Sequence, residues 1–157
     1  MKTADKTSFR ELVEESKTIA SGEGTRDEKL KRICSLLEEN VEIFDWVGFY
    51  LVDPDSDREL ILGPYVGEET DHTRIPFGKG ICGQAANSLE TFVVQDVSQE
   101  DNYLACSVDV QAEIVIPVMK DDSFVAELDI DSHTKNSISQ DHRAMLEEVC
   151  DIVSQLF

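Results

Sequence analysis

Three groups of residues in this chain could do chemistry. Cys106 sits in Ala105-Cys106-Ser107, a small and polar stretch between segments expected to be strands. A thiol on a loop held by a rigid sheet is free to react. Cys82 lies between Gly80 and Gly83 at an expected helix N-terminus, where backbone amides favour the thiolate and lower its pKa. The third group is a set of carboxylates inside apolar strands: Glu113 ahead of Ile114-Val115-Ile116, and Asp129 and Asp131 within Leu128-Asp129-Ile130-Asp131. Thiols supply nucleophilic or redox chemistry, and acids on a sheet offer a seat for a cation such as an ammonium group.

Composition narrows the choice. The 157 residues carry 33 acidic and 14 basic side chains, a net charge of −19. A field of that sign repels phosphate backbones and anionic lipid surfaces, so neither nucleic acid nor membrane is an expected partner. The acids are spread along the chain, as in a solvated surface or in a protein adapted to high salt. Without an apolar leader in MKTADKTSFRELVEESK, and without an apolar run near the ~20 residues that span a bilayer, the expected compartment is cytoplasmic. Four cysteines there are read as catalytic, redox or buried thiols rather than structural disulfides. No C-x-x-C pair occurs, and His72, His133 and His142 show no zinc-ligand spacing, so no metal site is expected. Asp53, Asp55 and Asp57 imitate the start of a calcium loop, but Arg58 and Pro64 stand where its glycine and glutamate belong.

The elements that must position these groups follow from periodicity. Phe9, Leu12 and Val13 begin an amphipathic helix that Ser21-Gly22-Glu23-Gly24 breaks, and Thr25 caps a second with Glu28 as its capping-box partner. Leu30, Ile33, Cys34 and Leu37 form that helix's buried stripe, which makes Cys34 a core thiol. Trp46 to Val52 is a strand by propensity, and Glu59 to Leu62 is the second arm of a hairpin. Arg74-Ile75-Pro76 and the glycine turn Phe77 to Gly83 predict a short strand leading into a helix, and Phe92-Val93-Val94 another short strand. Glu113 to Val118 and Phe124 to Ile130 form a second hairpin around Lys120-Asp121-Asp122. Ser139 caps a last helix with Leu146, Val149, Val153 and Leu156 on its apolar face and Cys150 beside them. The expected fold class is α+β: a central, mostly antiparallel sheet of about six strands flanked by N- and C-terminal helices. One domain is expected over 1–157, with helices in 1–44 and the sheet, site loops and last helix in 45–157.

Side chains two apart on a strand share a face. Asp129 and Asp131 are therefore side by side, and Trp46 and Tyr50, four apart, likewise share a face with Gly48 between them leaving room. If the two strands adjoin, one end of the sheet presents an aromatic wall and a patch of negative charge, the patch suited to an ammonium group and the wall to a small apolar or thioether-like group. From the residues alone the reading ends there, at a cationic-ligand pocket with two candidate thiols.

As a whole, the segments Trp46-Val47-Gly48-Phe49-Tyr50-Leu51, Leu62-Gly63-Pro64, Arg74 to Gly83, Asp96-Val97, Ala105-Cys106, Glu113 to Pro117 and Leu128 to Ser132 resemble the free methionine-(R)-sulfoxide reductases, a family of single GAF-type domains. The resemblance runs from Trp46 to about Leu156. It implies reduction of free L-methionine-(R)-sulfoxide to L-methionine. Cys106 matches the catalytic cysteine, oxidised to sulfenic acid, and Cys82 a second cysteine placed to condense with it into a disulfide. Glu113, Asp129 and Asp131 match the carboxylates that hold the amino acid, and Trp46 and Tyr50 the aromatics around its methyl sulfoxide. The resemblance implies a homodimer with no cofactor, recycled by an external dithiol such as thioredoxin.

Three departures stand out. His72 replaces a third cysteine of many members, Ser107 replaces an Asp after the catalytic cysteine, and Ala126-Glu127 replaces a Gly and an aliphatic. Glu127 shares the face of Asp129 and Asp131, adding charge there or raising their pKa values by repulsion. With position 72 a histidine, the sulfenic acid falls to Cys82 or to an external thiol. A non-catalytic GAF sensor and a thiol redox switch are the alternatives to the enzyme.

Overall fold

A computed structural model of the chain describes residues 8–56, 58–103 and 109–157, so Cys106 lies outside the described residues. Two capped helices come first. The Ser8 hydroxyl accepts from the Glu11 amide to start α1 (Phe9–Ser21). Thr25 accepts from the Glu28 amide to start α2 (Arg26–Asn40). The Glu28 carboxylate turns to Arg32, 3.8 Å away. Leu30, Ile33, Cys34 and Leu37 are all fully buried, as the stripe predicts.

Six strands follow as β1 (Trp46–Val52), β2 (Glu59–Val66), β3 (Arg74–Pro76), β4 (Phe92–Val94), β5 (Ala112–Lys120) and β6 (Ser123–Ser132). They form one sheet in the order β3-β2-β1-β6-β5-β4, and every neighbouring pair is antiparallel. Helix α3 (Gly80–Ser88) connects β3 to β4, and a 3₁₀ turn at Val97–Gln99 follows β4. The chain ends on α4 (Gln140–Ser154), whose N-cap Ser139 forms a reciprocal capping box with His142. The β5–β6 turn places Asp121 at φ 49° and Asp122 at φ 67°. Two successive left-handed residues match the right-handed twist of the flanking strands.

Strand β2 runs past the expected Leu62, through Gly63 and Pro64, to Val66. A proline is tolerated there because β3 pairs only with Glu59 to Ile61, leaving that edge open, and because the β1–β2 register shifts between Gly48 and Tyr50.

The sheet separates two apolar layers. On one face Val47, Phe49, Ile114, Ile116, Leu128 and Ile130 pack against α1, α2 and α4. Each such side chain contributes about 1.5–3 kcal/mol by leaving water. On the other face Trp46, Tyr50, Val115, Leu60 and Ile75 pack beneath α3 with Ile81, Cys82, Ala85 and Ala86. No helix among the described residues is long and apolar enough to cross a membrane.

Candidate active site

The residues singled out from the sequence converge on the second face. Strand β1 lies directly beside β6, with Trp46 opposite Asp131, Gly48 opposite Asp129 and Tyr50 opposite Glu127. On the other side of β6, β5 places Glu113 opposite Asp131. Strand alternation then points Trp46, Tyr50, Glu113, Glu127, Asp129 and Asp131 the same way. All four acids are buried, at 3% exposure for Glu113, 0% for Glu127 and 1% each for Asp129 and Asp131.

Gly48 does more than leave room. A Cβ at this position would sit 2.4 Å from Cη2 of Trp46 and 2.7 Å from Cβ of Tyr65. The indole therefore lies across the bare backbone and fills the space expected to be open. It stacks on Tyr65 at 5.3 Å and on Tyr50 at 6.4 Å between ring centroids.

Both aromatic side chains also hold the loop above them. Nε1 of Trp46 donates to the Glu68 carbonyl at 2.9 Å, and the Tyr50 hydroxyl donates to the His72 carbonyl at 2.8 Å. This tie between strand and loop was not foreseen from the sequence, because nothing local marks Glu68 or His72 as acceptors. Asn102 is a second unforeseen member. Its side-chain oxygen accepts from the Gly80 amide at 2.8 Å and its nitrogen donates to the Gly78 carbonyl at 2.7 Å. Asn102 thereby fastens the segment leading to residue 103 onto the glycine turn before α3. Gly83 permits that turn's close approach, since a Cβ there would meet the Pro76 carbonyl oxygen at 2.7 Å.

Cys82 is the third residue of α3, but its environment reverses the expected thiol chemistry. Burial pushes the Cys82 thiol well above its ordinary pKa, and Asp129, Glu127, Glu113 and Asp131 push it further. The amides of a helix N-terminus act with a fraction of a charge. Desolvation plus four nearby carboxyls outweighs them. Burial likewise raises Glu127, with Asp129 adding to it, and raises Asp129 itself. In the folded chain this face holds protons that free carboxylic acids would have shed.

Cys82, Glu113, Asp129, Tyr50, His72, Ile75, Lys79 and Gly80 enclose a cavity of about 10 Å³. Of the residues expected to carry the chemistry, Trp46, Tyr50, Cys82, Glu113, Asp129 and Asp131 share one apolar-walled site. Cys34 and Cys150 lie in the other layer, as expected of core thiols. The Asp53 expected in a turn caps it, accepting from the Asp55 amide and pairing with Arg74 at 2.7 Å, which holds its carboxyl below the usual range.

Residues 23–157 match the GAF domain family. A free methionine-R-sulfoxide reductase of Escherichia coli is 33% identical across 79% of this chain and 73% of its own length. The chain belongs to the GAF domain family, among the free methionine-R-sulfoxide reductases. GAF domain-containing protein A of Dictyostelium discoideum is 35% identical across 84% of this GAF domain and 81% of its own length. The crystal structure of free methionine-R-sulfoxide reductase from Neisseria meningitidis, in complex with its substrate, superposes with a TM-score of 0.90. It is 32% identical and covers 100% of this chain and 95% of that one. In this GAF domain, Glu127 adds a fully buried fourth acid to the floor of the site.

Proposed function

We propose that the protein reduces free L-methionine-(R)-sulfoxide to L-methionine with its own cysteines. The observation that carries this reading is the buried set of Glu113, Asp129 and Asp131 beside Trp46 and Tyr50, under Cys82. Carboxylates out of water are a strong seat for the ammonium of a free amino acid, because only a charged and well-placed partner offsets their desolvation. The aromatic rings take the methyl sulfoxide end, where sulfur–aromatic contact is favourable. Relatives that carry this activity by name support the same reading.

The chemistry begins at Cys106. Its thiolate attacks the sulfoxide sulfur, the oxygen passes to the Cys106 sulfur as sulfenic acid, and methionine leaves two electrons richer. The Cys82 thiol then condenses with the sulfenic acid, forming an S–S bond and releasing water. An external dithiol of the thioredoxin type reduces the disulfide by exchange, so no bound cofactor takes part. The elevated pKa of Cys82 suits the second role better than the first. A thiol kept protonated does not compete for the substrate, and it becomes reactive once the site's charge is balanced.

The test is direct. Purified protein with excess dithiothreitol is expected to form methionine from the (R) epimer of the free amino acid and none from the (S) epimer. Cys106→Ser is expected to abolish turnover while circular dichroism shows an intact fold. Turnover near the wild-type rate in Cys106→Ser would overturn the assignment of the nucleophile, and no methionine from either epimer would overturn the reaction.

A further inference from the structure

Sγ of Cys82 and one carboxylate oxygen each from Glu113 and Asp129 all lie within 4.8 Å of one another. The three residues are 5%, 3% and 1% exposed. Among the described residues, Oδ1 of Asp129 and both carboxylate oxygens of Glu127 meet no amide, hydroxyl or ammonium donor. What faces them is the Cys82 thiol and, for Asp129, the Glu113 carboxyl. Acidic groups collected out of water either keep a proton or take on positive charge, and a bound cation displaces the protons held here. The cavity among them, about 10 Å³, has room for about one water. A single dehydrated cation fits that space.

We propose that Cys82, Glu113 and Asp129 bind a zinc-class divalent cation in the resting protein, and that this cation and the amino-acid substrate exclude one another. A thiolate with two carboxylates is a borderline-soft donor set, which suits zinc and its heavier congener cadmium and not magnesium or calcium. Zinc takes sulfur at about 2.3 Å and carboxylate oxygen at about 2.0–2.2 Å. The three ligand atoms need to draw inward by only about 1 Å to reach those lengths. A water in the cavity completes a tetrahedron, and the Cys82 proton leaves as the metal binds. The exclusion rests on the reductase reading. Metal-bound Cys82 cannot attack a sulfenic acid, and metal-bound Glu113 and Asp129 cannot receive an ammonium group. Zinc would then switch the enzyme off reversibly.

Binding is tested without substrate, on the reduced full chain. Titration with cadmium is expected to give an ultraviolet thiolate-to-metal charge-transfer band at one equivalent in the wild type and in Cys106→Ser. Cys82→Ser is expected to lose the band and to bind zinc, by chelator competition, at least 10–100-fold more weakly. Asp129→Asn conserves volume and provides a second variant should Cys82→Ser not fold. It is expected to keep the band and bind at least tenfold more weakly. A band that survives in Cys82→Ser, or disappears in Cys106→Ser, would overturn the assignment by placing the metal on another thiol. Unchanged affinity in Asp129→Asn would do the same. In the assay with (R)-sulfoxide, zinc is expected to inhibit competitively, with recovery on adding chelator. Tight zinc binding without competition would overturn the exclusion, whereas a protein without reductase activity would leave the binding results to decide the site alone.

Discussion

Gly48 and Asp129 stand opposite each other across the β1–β6 ladder, so a backbone without a side chain faces a buried carboxylate. The Trp46 indole lies over that backbone, and any Cβ at position 48 would sit 2.4 Å from it. Gly48→Ala is expected to destabilise the fold by about 1–3 kcal/mol, the usual cost of overpacking. Denaturant titration would register this, together with a loss of affinity for the sulfoxide as the indole is displaced. An alanine variant of unchanged stability and affinity would show that the indole can move without consequence.

Glu127 gives a pH signature. Its carboxyl pKa is raised in the folded chain, first by burial and then by Asp129. A raised folded-state pKa means that the native state binds the extra proton. Its stabilising contribution is present below the unfolded carboxyl value near ~4.3 and is lost as pH climbs through the folded value. Glu127→Gln is neutral at every pH and keeps the shape. It is therefore expected to raise the melting temperature relative to wild type at pH 8, with the advantage fading as the pH is lowered toward 5. A difference independent of pH would remove Glu127 as the source.

The disulfide step separates the two thiols. With one equivalent of (R)-sulfoxide and no reductant, the wild type is expected to lose two thiols, with Cys82 and Cys106 joined in the peptide map. Cys82→Ser is expected to stop at a sulfenic acid that dimedone traps, and to turn over with dithiothreitol, which resolves the acid from outside. Wild-type protein that also stops at sulfenic acid would exclude Cys82 as the resolving group.

Tyr50→Phe removes the hydroxyl that donates to the His72 carbonyl at 2.8 Å. The loss is expected to be about 1 kcal/mol of stability, rising toward 3 where the carbonyl stays buried and unpaired. Amide exchange between positions 67 and 73 should quicken while exchange in β6 is unaltered. Equal exchange in both places would mean that the hydroxyl does not anchor the loop.

Much of this site was legible because strand alternation is local arithmetic. The shared face of Asp129 and Asp131, and that of Trp46 and Tyr50, needed only their spacing, and the structure places both pairs on the same side of the sheet. What could not be read was adjacency. Strand β1 pairs with β6, the last strand in the chain, and that partnership depends on contacts some eighty residues apart in sequence. The same limit explains the reversal at Cys82. Its position near a helix N-terminus is visible locally, but the carboxyls that raise its pKa come from β5 and β6. Glu68 and His72 join the site through main-chain carbonyls that carry no residue-specific signature, and Asn102 through a side chain whose partners, Gly78 and Gly80, are distant in sequence.

The ties from Trp46 and Tyr50 end on main-chain oxygens of Glu68 and His72, not on their side chains. The anchor at position 72 is thus indifferent to the side chain carried there. By contrast, Gly67, where a Cβ would meet the Trp46 ring at 2.6 Å, and Thr70, whose hydroxyl accepts from the His72 amide at 3.1 Å, fix the loop by residue type. Position 72 can exchange a thiol for an imidazole without moving the backbone that carries it past the cavity rim. This part of the site is an interchangeable fitting on a fixed mount, where new chemistry can be tried by one codon change while the floor of acids beneath stays as it was.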